Sequence, residues 1–277
     1  AAHLINFMGT DTVEGVLAAR KYYDEPMAAF SIPASEHSTI TAWGGPEQEV
    51  DAFRNMLTQF GGKFPLIAVV SDSYDIYNAT DKLWGEVLRE EVLGSGSMIV
   101  VRPDSGDPET VPVKILESLA KTYGAVTNKK GYKVLNGIRV IQGDGITYDT
   151  IKVILENVMA SGFSIDNIAF GMGSGLLQQV NRDTLNFAMK CSAIQVNGEW
   201  RDVYKQPVDQ AMKVSKKGRL ALEVGVTPSG QVVHTTKRLE DSSPEKNLLK
   251  PVFRNGKILK TATLAEIRER ASVTFRT

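Results

Sequence analysis

The sequence lacks the features that would place it in several common classes of protein. Its single cysteine, Cys191, cannot form a disulfide within the chain, so a reducing compartment, the cytoplasm, is expected. It has no excess charge, because 32 basic residues balance 32 acidic ones, whereas a nucleic-acid surface usually needs a clear basic excess. No apolar run approaches the roughly 20 residues that span a bilayer. We therefore expect neither a nucleic acid nor a membrane as partner.

The sequence does contain short apolar runs, each followed by a small polar cluster. Such runs are typical of buried parallel strands, whose two faces are both covered. The runs are 67–70, 98–101, 138–141 and 168–170, and the helix-length segments between or before them are 47–60, 76–93, 111–123 and 149–160. Polar groups gathered at the ends of parallel strands are typical of the active-site rim of an α/β barrel.

The two ends of the chain differ from this middle part. A first unit is expected as a strand at 4–7, a helix at 12–23 and a strand at 29–32. After about residue 185, short strand-like pieces and turns such as Asn197-Gly198 indicate antiparallel structure. These pieces are 193–196, 203–204, 220–224 and 231–235, and a helix is expected at 264–270. We predict an α/β domain over 1–187 and a β-rich region over 188–277.

A glycine-rich loop, Gly171-Met-Gly-Ser-Gly175, lies between a predicted strand and a helix expected over 176–187. Glycines let backbone N–H groups approach a phosphate, and a helix N-terminus favours an anion, so Gly173 and Ser174 are candidate phosphate ligands. Arg182 follows on the expected helix. The loop is not a P-loop, because no Gly-Lys-Ser/Thr ends it. A tight strand-to-helix turn is the alternative.

Two further strand ends combine charge with small residues. Arg102 and Asp104 are two residues apart and share a side of an extended chain, so they either face one ligand or pair with each other. Asp144 lies between glycines, including Gly143, which would let a sugar approach the backbone. The alternative is that Asp144 caps the following helix.

His37 is one of only three histidines, and it follows an acidic residue. Beside acids from other strand ends it could act as acid, base or phosphoryl acceptor, although a lone histidine is more often structural. Asp72 and Asp75 could supply a metal site or orient His37. Scattered acids suit Mg²⁺, which prefers few carboxylates together with substrate phosphates. Asp11 could bind a ligand or cap the next helix.

These segments together resemble the nicotinamide phosphoribosyltransferase family along the whole chain. The segments that carry the resemblance are Gly9-Thr-Asp-Thr12, Pro33-Ala-Ser-Glu-His-Ser-Thr-Ile-Thr-Ala-Trp-Gly44, Ser71-Asp-Ser-Tyr-Asp-Ile-Tyr-Asn78, Arg102-Pro-Asp-Ser-Gly106, Val140-Ile-Gln-Gly-Asp-Gly145, Leu176-Leu-Gln178 and Ser215-Lys-Lys-Gly-Arg-Leu220. One departure is Ser174, where the animal enzymes are expected to have glycine.

The resemblance implies an irregular α/β barrel of the type II phosphoribosyltransferase kind, followed by a smaller, mostly β region. It also implies a homodimer with active sites at the interface. The resemblance further implies that an N-terminal part of the family, which supplies aromatic residues around the nicotinamide ring, is absent from the sequence given. The expected ligands are nicotinamide, phosphoribosyl pyrophosphate, Mg²⁺ and ATP as a coupled co-substrate.

The resemblance also assigns roles to residues. Asp11 would accept from the carboxamide N–H₂, which favours the amide over nicotinate, and Arg102 would lie near the carboxamide oxygen. His37 would be phosphorylated during ATP coupling, with Asp72 as its orienting partner. The residues expected to contact the ribose are Asp104, Gly143 and Asp144, and those expected to bind phosphate are Gly173, Ser174, Arg182, Lys190 and Lys213. Arg139 is a further substrate-binding candidate. Asp72 and Asp104 are candidate ligands of a Mg-pyrophosphate.

Three other interpretations stay open. A nicotinate or quinolinate phosphoribosyltransferase would share the barrel but would need a cation facing the ring substituent, which Asp11 disfavours. A ligand-binding module without turnover is the second. The third is an unrelated phosphate-binding barrel such as an aldolase, which would usually need a strand-end lysine that the clusters lack.

Overall fold

The structure is a computed structural model that describes residues 1–179, 181, 188–208 and 214–274. Its contacts divide the chain into two compact units, one formed by 1–179 with 263–277 and the other by 180–262. The domain boundary expected after residue 187 falls near this division, in a stretch that is only partly described, and stays a prediction.

The first unit alternates helices and strands along most of its length. Its helices are α1 (Val13–Tyr22), α2 (His37–Thr41), α3 (Glu49–Phe60), α4 (Ile76–Asn78) with a π-helical continuation (Ala79–Val87), α5 (Arg89–Gly94), α6 (Val111–Tyr123), α7 (Tyr148–Ala160) and α8 (Ser174–Leu177). Its strands are β1 (Leu66–Val70), β2 (Met98–Arg102), β3 (Ala125–Thr127), β4 (Lys133–Leu135), β5 (Ile138–Gln142) and β6 (Ile168–Phe170).

A parallel sheet in the order β1-β2-β5-β6 forms the centre of this unit. Its register pairs Val69 with Val101, Val101 with Val140, and Ile141 with Ala169. These are the four strands that the apolar runs predict, so a mixed α/β fold with a parallel sheet is confirmed. Within the described residues the sheet is open, and its closure into a barrel stays a prediction.

The core beside β1 is built around two aromatic rings. Phe53 of α3 stacks on Trp84 of the π-helical segment, with ring centroids 4.6 Å apart and planes 8° apart. Both side chains are fully buried, which contributes roughly 2 to 3 kcal/mol each. Trp84 Nε1 also donates to Ser71 Oγ at 3.0 Å, so the packed core holds the residue directly before Asp72.

The first predicted unit is wrong in both of its strands. Residues Ala2–Ile5 form a 3₁₀ helix, and its Leu4 is buried against Leu264 instead of joining the sheet. Residues 29–32 form no strand, and only Ala34 makes a parallel bridge, to Ala68. The bridge does not extend because Pro33, which accepts from Ala68 N at 2.9 Å, has no N–H to donate.

Helix α9 (Leu264–Thr274) closes the first unit beside its N-terminal residues. Arg268 Nε donates to the carbonyl of Leu4 at 2.7 Å and Nη2 donates to that of Phe7 at 3.2 Å. No helix in the described part of the chain has the length and apolar character needed to cross a membrane.

The second unit is antiparallel, as predicted. Its strands are β7 (Ala193–Val196), β8 (Glu199–Asp202), β9 (Leu220–Val226), β10 (Val232–Arg238), β11 (Phe253–Arg254) and β12 (Lys257–Ile258), paired as successive hairpins. The strand expected at 203–204 is wrong. Asn197 and Gly198 have φ of 50° and 87°, a two-residue turn that makes Glu199 the first partner of Val196.

Candidate functional site

The loops that follow β2, β5 and β6 converge on one cavity of about 760 Å³ in the first unit, and Ala68 of β1 also lines it. Helix α1 and the segment 29–36 complete its wall. Five residues predicted from the sequence line it: Asp11, Arg102, Asp104, Gly143 and Gly173. The parallel order explains this convergence, because the carboxyl ends of all four strands meet at the same edge of the sheet.

His37 and Asp72 form a hydrogen-bonded pair beside Asp104. His37 Nε2 lies 2.9 Å from Asp72 Oδ1, and His37 Nδ1 lies 4.0 Å from Asp104 Oδ2. The Asp72 side chain is only 2% exposed, whereas that of His37 is 43% exposed. The predicted orienting geometry is therefore present, and an ionised Asp72 favours the tautomer with its proton on Nε2. That tautomer leaves Nδ1 as the nucleophilic nitrogen.

Asp72 is held in its ionised form by three donors. Burial alone would raise the pKa of Asp72, but hydrogen bonds from Ser105, from the backbone N–H of Asp104 and from His37 outweigh it and hold the pKa below its usual value. Asp72 Oδ2 accepts from Asp104 N at 2.9 Å and from Ser105 Oγ at 2.5 Å. The carboxylate thereby ties the end of β1 to the loop after β2.

Asp75 has a structural role instead of a metal or histidine contact. It is the N-cap of α4, and its Oδ1 accepts from Tyr77 N at 2.9 Å and from Asn78 N at 3.1 Å. These bonds satisfy donors that a helix start leaves unpaired. Of the two acids, Asp72 is therefore the one that contacts His37, and Asp75 caps the helix.

Arg102 pairs with Glu36, a residue that the sequence analysis did not single out. Its Nη1 and Nη2 donate to the two carboxylate oxygens of Glu36 at 3.2 and 3.0 Å. The expected alternative, an ion pair between Arg102 and Asp104, is not formed. Burial opposes the charged form of Arg102, but the hydrogen bonds and charge of Glu36, with Asp104 and Asp72 nearby, raise its pKa. The position of Glu36 directly before His37 was the available signal.

The two glycine loops approach each other so closely that a side chain on either loop would require its neighbours to shift. A Cβ on Gly171 would lie 3.0 Å from the Cα of Gly143, and a Cβ on Gly143 would lie 3.0 Å from Asp104 Oδ1. Asp11 Oδ2 accepts from the N–H of Met172 at 2.6 Å. Asp11 therefore anchors the glycine-rich loop across the cavity. It does not cap α1, whose N-cap residue is Thr12.

The glycine-rich loop leads into a helix that is much shorter than predicted. Gly173 is the N-cap of α8, which ends at Leu177. Ser174 is its first residue and is exposed. The expected continuation to residue 187 includes Arg182, which lies outside the described residues, as does Lys213. Lys190 is exposed and belongs to the second unit.

Asp144 lies exposed in the loop after β5, and capping of the next helix is not its role. Thr147 caps α7, accepting from the N–H of Thr150 at 3.2 Å. Gln142, whose side chain is buried, donates from Nε2 to the carbonyl of Asp144 at 2.9 Å. Gln142 therefore sets the shape of the loop that carries Gly143 and Asp144.

Arg139 is not brought together with the other candidates. It lies at the start of β5, whereas Gly143, which lines the cavity, follows the other end of that strand. Its guanidinium donates to the carbonyls of Leu135 at 2.6 Å, Ile138 at 2.7 Å and Asp166 at 3.1 Å. These bonds engage Nε and Nη1 on backbone carbonyls, and the substrate role of Arg139 stays a prediction.

Glu49 is a second residue that sequence reasoning missed. It begins α3, is 2% exposed, and its Oε1 has no hydrogen-bond partner within the described part of the chain. Burial, together with the nearby charges of Asp72 and Asp75, raises the pKa of Glu49 to about 7. Nothing in the sequence pattern distinguishes it from the exposed acids on the same helix.

The candidate metal ligands differ in their availability. Both oxygens of Asp72 accept hydrogen bonds and its side chain is only 2% exposed, so Asp72 is less accessible to a metal ion than Asp104 is. Asp104 is one-third exposed and faces the cavity. The described residues contain no group of three or more metal-ligating side chains. Asp104 with substrate phosphates fits the few-carboxylate coordination that Mg²⁺ prefers, whereas the metal role of Asp72 stays a prediction.

The fold and the cavity together define an α/β protein that carries its candidate ligand residues on the loops after parallel strands. The model of the nicotinate phosphoribosyltransferase (NAPRTase) family matches residues 1–257. The chain therefore belongs to the nicotinate phosphoribosyltransferase family.

Similar curated proteins are named nicotinamide phosphoribosyltransferase. One from Xanthomonas campestris pv. campestris (strain 8004) is 51% identical over 275 residues, covering 98% of this chain and 58% of the relative. One from Acinetobacter baylyi (strain ATCC 33305 / BD413 / ADP1) is 33% identical over 97% of this chain and 56% of the relative. The chain thus spans a little over half the length of these relatives.

A crystal structure of human nicotinic acid phosphoribosyltransferase is also similar, with 16% identity and a TM-score of 0.36. The match covers 99% of this chain and 54% of the human chain. We draw no conclusion about the architecture of this chain from a match with so low a TM-score.

Proposed function

We propose that this chain carries the phosphoribosyl-transfer site of a nicotinamide phosphoribosyltransferase. The reaction joins nicotinamide to phosphoribosyl pyrophosphate, releases pyrophosphate and serves NAD salvage. The observation that carries the proposal is the single cavity in which Asp11, Arg102, Asp104 and Gly143 meet. The names of the curated relatives support the choice of nicotinamide.

The cavity offers complementary groups to a pyridine carboxamide. Asp11 Oδ2 holds Met172 N, and its second oxygen is an acceptor for the carboxamide N–H₂. Arg102 keeps N–H donors beyond the two that hold Glu36, and these suit the carboxamide oxygen. The ring would thus be oriented at both ends of its substituent.

The transfer step needs no general base. The ring nitrogen of neutral nicotinamide attacks the anomeric carbon, and the carbon–oxygen bond to pyrophosphate breaks as the leaving group takes the electron pair. Asp104, beside Gly143, is placed to stabilise positive charge that develops on the ribosyl centre. Bound Mg²⁺, held by Asp104 and the substrate's phosphates, would neutralise the leaving pyrophosphate.

His37 suits the ATP-coupled step that the resemblance implies. With Nε2 engaged by Asp72, Nδ1 is free to take a phosphoryl group, and 43% exposure of the side chain gives a nucleotide access. Asp72 would orient the ring and stabilise its positive charge. The three donors that keep Asp72 ionised support this role.

The larger assembly is part of the same proposal. The parallel sheet would be completed as an irregular barrel, and two copies would form a homodimer in the cytoplasm. In that homodimer Lys190 and Lys213 would reach the phosphates across the dimer, and Arg182 would be the cation of the phosphate loop. The cavity itself offers few cations, because Asp11, Glu36 and Asp104 outnumber Arg102 among its described ionisable lining residues.

The test is a calorimetric titration of the chain with nicotinamide mononucleotide, with and without Mg²⁺, beside Asp11→Asn. Asparagine keeps one acceptor for Met172 N–H but removes the charge that the carboxamide N–H₂ would meet. We expect Kd to rise about tenfold, since hydrogen bonds to charged groups contribute roughly 1.5 to 3 kcal/mol.

Glu86→Gln is the matched control, because Glu86 is exposed on the π-helical segment and does not line the cavity. It should leave Kd unchanged. Formation of nicotinamide mononucleotide and pyrophosphate is followed by chromatography in parallel. No binding by the wild-type chain at millimolar ligand, together with no turnover, would contradict the proposal.

A further inference from the structure

The cavity has an excess of acidic side chains, and the roles assigned so far do not account for one of them, Glu36. Among the described residues that line it, the ionisable side chains are those of Asp11, Glu36, Asp104 and Arg102. Three acids therefore surround one cation. Glu36 is the acid that contacts this cation directly.

The contact between Glu36 and Arg102 has the two-pronged form that suits a guanidinium and a carboxylate. Nη1 donates to Oε1 at 3.2 Å and Nη2 donates to Oε2 at 3.0 Å. The Arg102 side chain is 15% exposed and that of Glu36 is 68% exposed. Glu36 thus covers a largely buried cation from the solvent side, in a geometry that is stronger than an ordinary surface pair.

The backbone around Glu36 is fixed, so its approach to Arg102 does not depend on a loose loop. Glu36 is the N-cap residue of α2, and its N–H donates to Thr39 Oγ1 at 3.1 Å. The preceding Ser35 is buried and bonded to β1, since its Oγ accepts from Val70 N at 2.9 Å. The Glu36 side chain is therefore presented to Arg102 by a rigid junction.

The ion pair between Glu36 and Arg102 should make binding of an anionic ring substituent less favourable than binding of a neutral one. A carboxylate at Arg102 would either displace Glu36 from its two donors or become a fourth negative group beside Asp11 and Asp104. Placing like charges side by side at a binding site disfavours the wrong partner. A carboxamide meets no such penalty, because Arg102 has five N–H donors and Glu36 uses two of them.

We propose that Glu36 is a specificity-determining residue, which occupies Arg102 so that the site accepts a neutral pyridine carboxamide and rejects the pyridine carboxylate. The inference rests on the proposed function and extends it, because it gives a second residue besides Asp11 a role in selection. Glu36 acts through Arg102 and is a positioning residue, not a catalytic one.

The charge states support this arrangement. The hydrogen bond and charge of Arg102 lower the pKa of Glu36, although burial opposes the shift, so Glu36 is ionised at neutral pH. The same contacts raise the pKa of Arg102. The pair is therefore fully charged under the conditions in which a substrate would bind.

The experiment removes the charge of Glu36 and measures discrimination. The chain and its Glu36→Gln variant are titrated by calorimetry with nicotinamide mononucleotide and with nicotinate mononucleotide, in the presence of Mg²⁺. We expect the Kd of nicotinate mononucleotide divided by the Kd of nicotinamide mononucleotide to fall about tenfold or more in the variant, mainly because the carboxylate ligand binds more tightly. Glu36→Ala should shift the ratio in the same direction.

Glu47→Gln is the matched control, because it removes an equal charge from an exposed residue that does not line the cavity. Its ratio should equal that of the wild type. A wild-type chain that binds nicotinamide mononucleotide, with unchanged ratios in both Glu36 variants, refutes the role of Glu36 and leaves the proposed function standing. A wild-type chain that binds neither mononucleotide refutes the proposed function and this inference together.

Discussion

Replacing Asp72 by alanine tests whether this carboxylate joins the loops around the cavity. The wild-type side chain is 2% exposed and accepts from His37, from the backbone N–H of Asp104 and from Ser105. The alanine variant leaves the partly buried Asp104 N–H without an acceptor, which costs about 1 to 3 kcal/mol. His37 and Ser105 are more exposed and can turn to water, so their loss adds about 1 kcal/mol. We expect the free energy of unfolding to fall by about 2 to 4 kcal/mol.

The pH dependence follows from the lowered pKa of Asp72. A carboxyl group whose folded-state pKa lies below its unfolded value stabilises the protein above the unfolded value and loses that contribution as pH falls through the folded value. The difference in unfolding free energy between wild type and Asp72→Ala should therefore be largest near pH 7. It should shrink as the pH is lowered below about 4.

Urea denaturation followed by tryptophan fluorescence measures this difference, because Trp84 is buried next to Ser71. Ser105→Ala is the matched control. It removes only one of the three donors to Asp72, the exposed Ser105 hydroxyl, and should lower the free energy of unfolding by less than about 1 kcal/mol. A loss below 1 kcal/mol for Asp72→Ala at pH 7, or a difference that grows on acidification, would refute the reasoning.

Three further variants probe other features of the same unit. Glu49→Gln should gain stability relative to wild type as pH rises from 4.5 to 7, because the raised pKa of Glu49 makes its ionisation in the folded protein costly. At about 1.4 kcal/mol per pH unit, the gain in unfolding free energy should reach roughly 3 kcal/mol. Urea titrations at pH 5 and pH 8 that show no such gain contradict this prediction. Gly171→Ala should cost about 1 to 3 kcal/mol through overlap with Gly143, whereas Gly94→Ala, with open space at its Cβ, should cost almost nothing; equal thermal midpoints would contradict this. Thr147→Ala should cost about 1 kcal/mol through loss of the α7 cap, and a difference within the error of denaturant unfolding would count against it.

Sequence alone was sufficient for the elements that depend on local pattern. Helix α6 runs from Val111 to Tyr123 as predicted, and four apolar runs became four parallel strands. Burial on both faces demands continuous apolar residues, and this demand is visible in the sequence. The end-of-strand clusters could also be located, because parallel strands bring their carboxyl ends to one edge.

Pairings over long separations were only partly predictable. The pair of His37 and Asp72 was anticipated as an orienting contact, and the structure places their atoms 2.9 Å apart. The strand expected near the N-terminus failed, because Leu4 packs on α9 from the far end of the chain. A local apolar run cannot reveal whether its partner is a sheet or a helix.

What the sequence by itself determined is therefore the four strands of the parallel sheet, most helices and the residue types at the rim of that sheet. Only the tertiary structure decided which of those residues meet. Arg102 pairs with Glu36 instead of Asp104, Asp11 reaches Met172, and Arg139 turns away to backbone carbonyls. The physical reason is that a hydrogen bond or ion pair forms only when two groups on different loops are placed to within a few tenths of an ångström. That placement is set by the order of the strands and by packing.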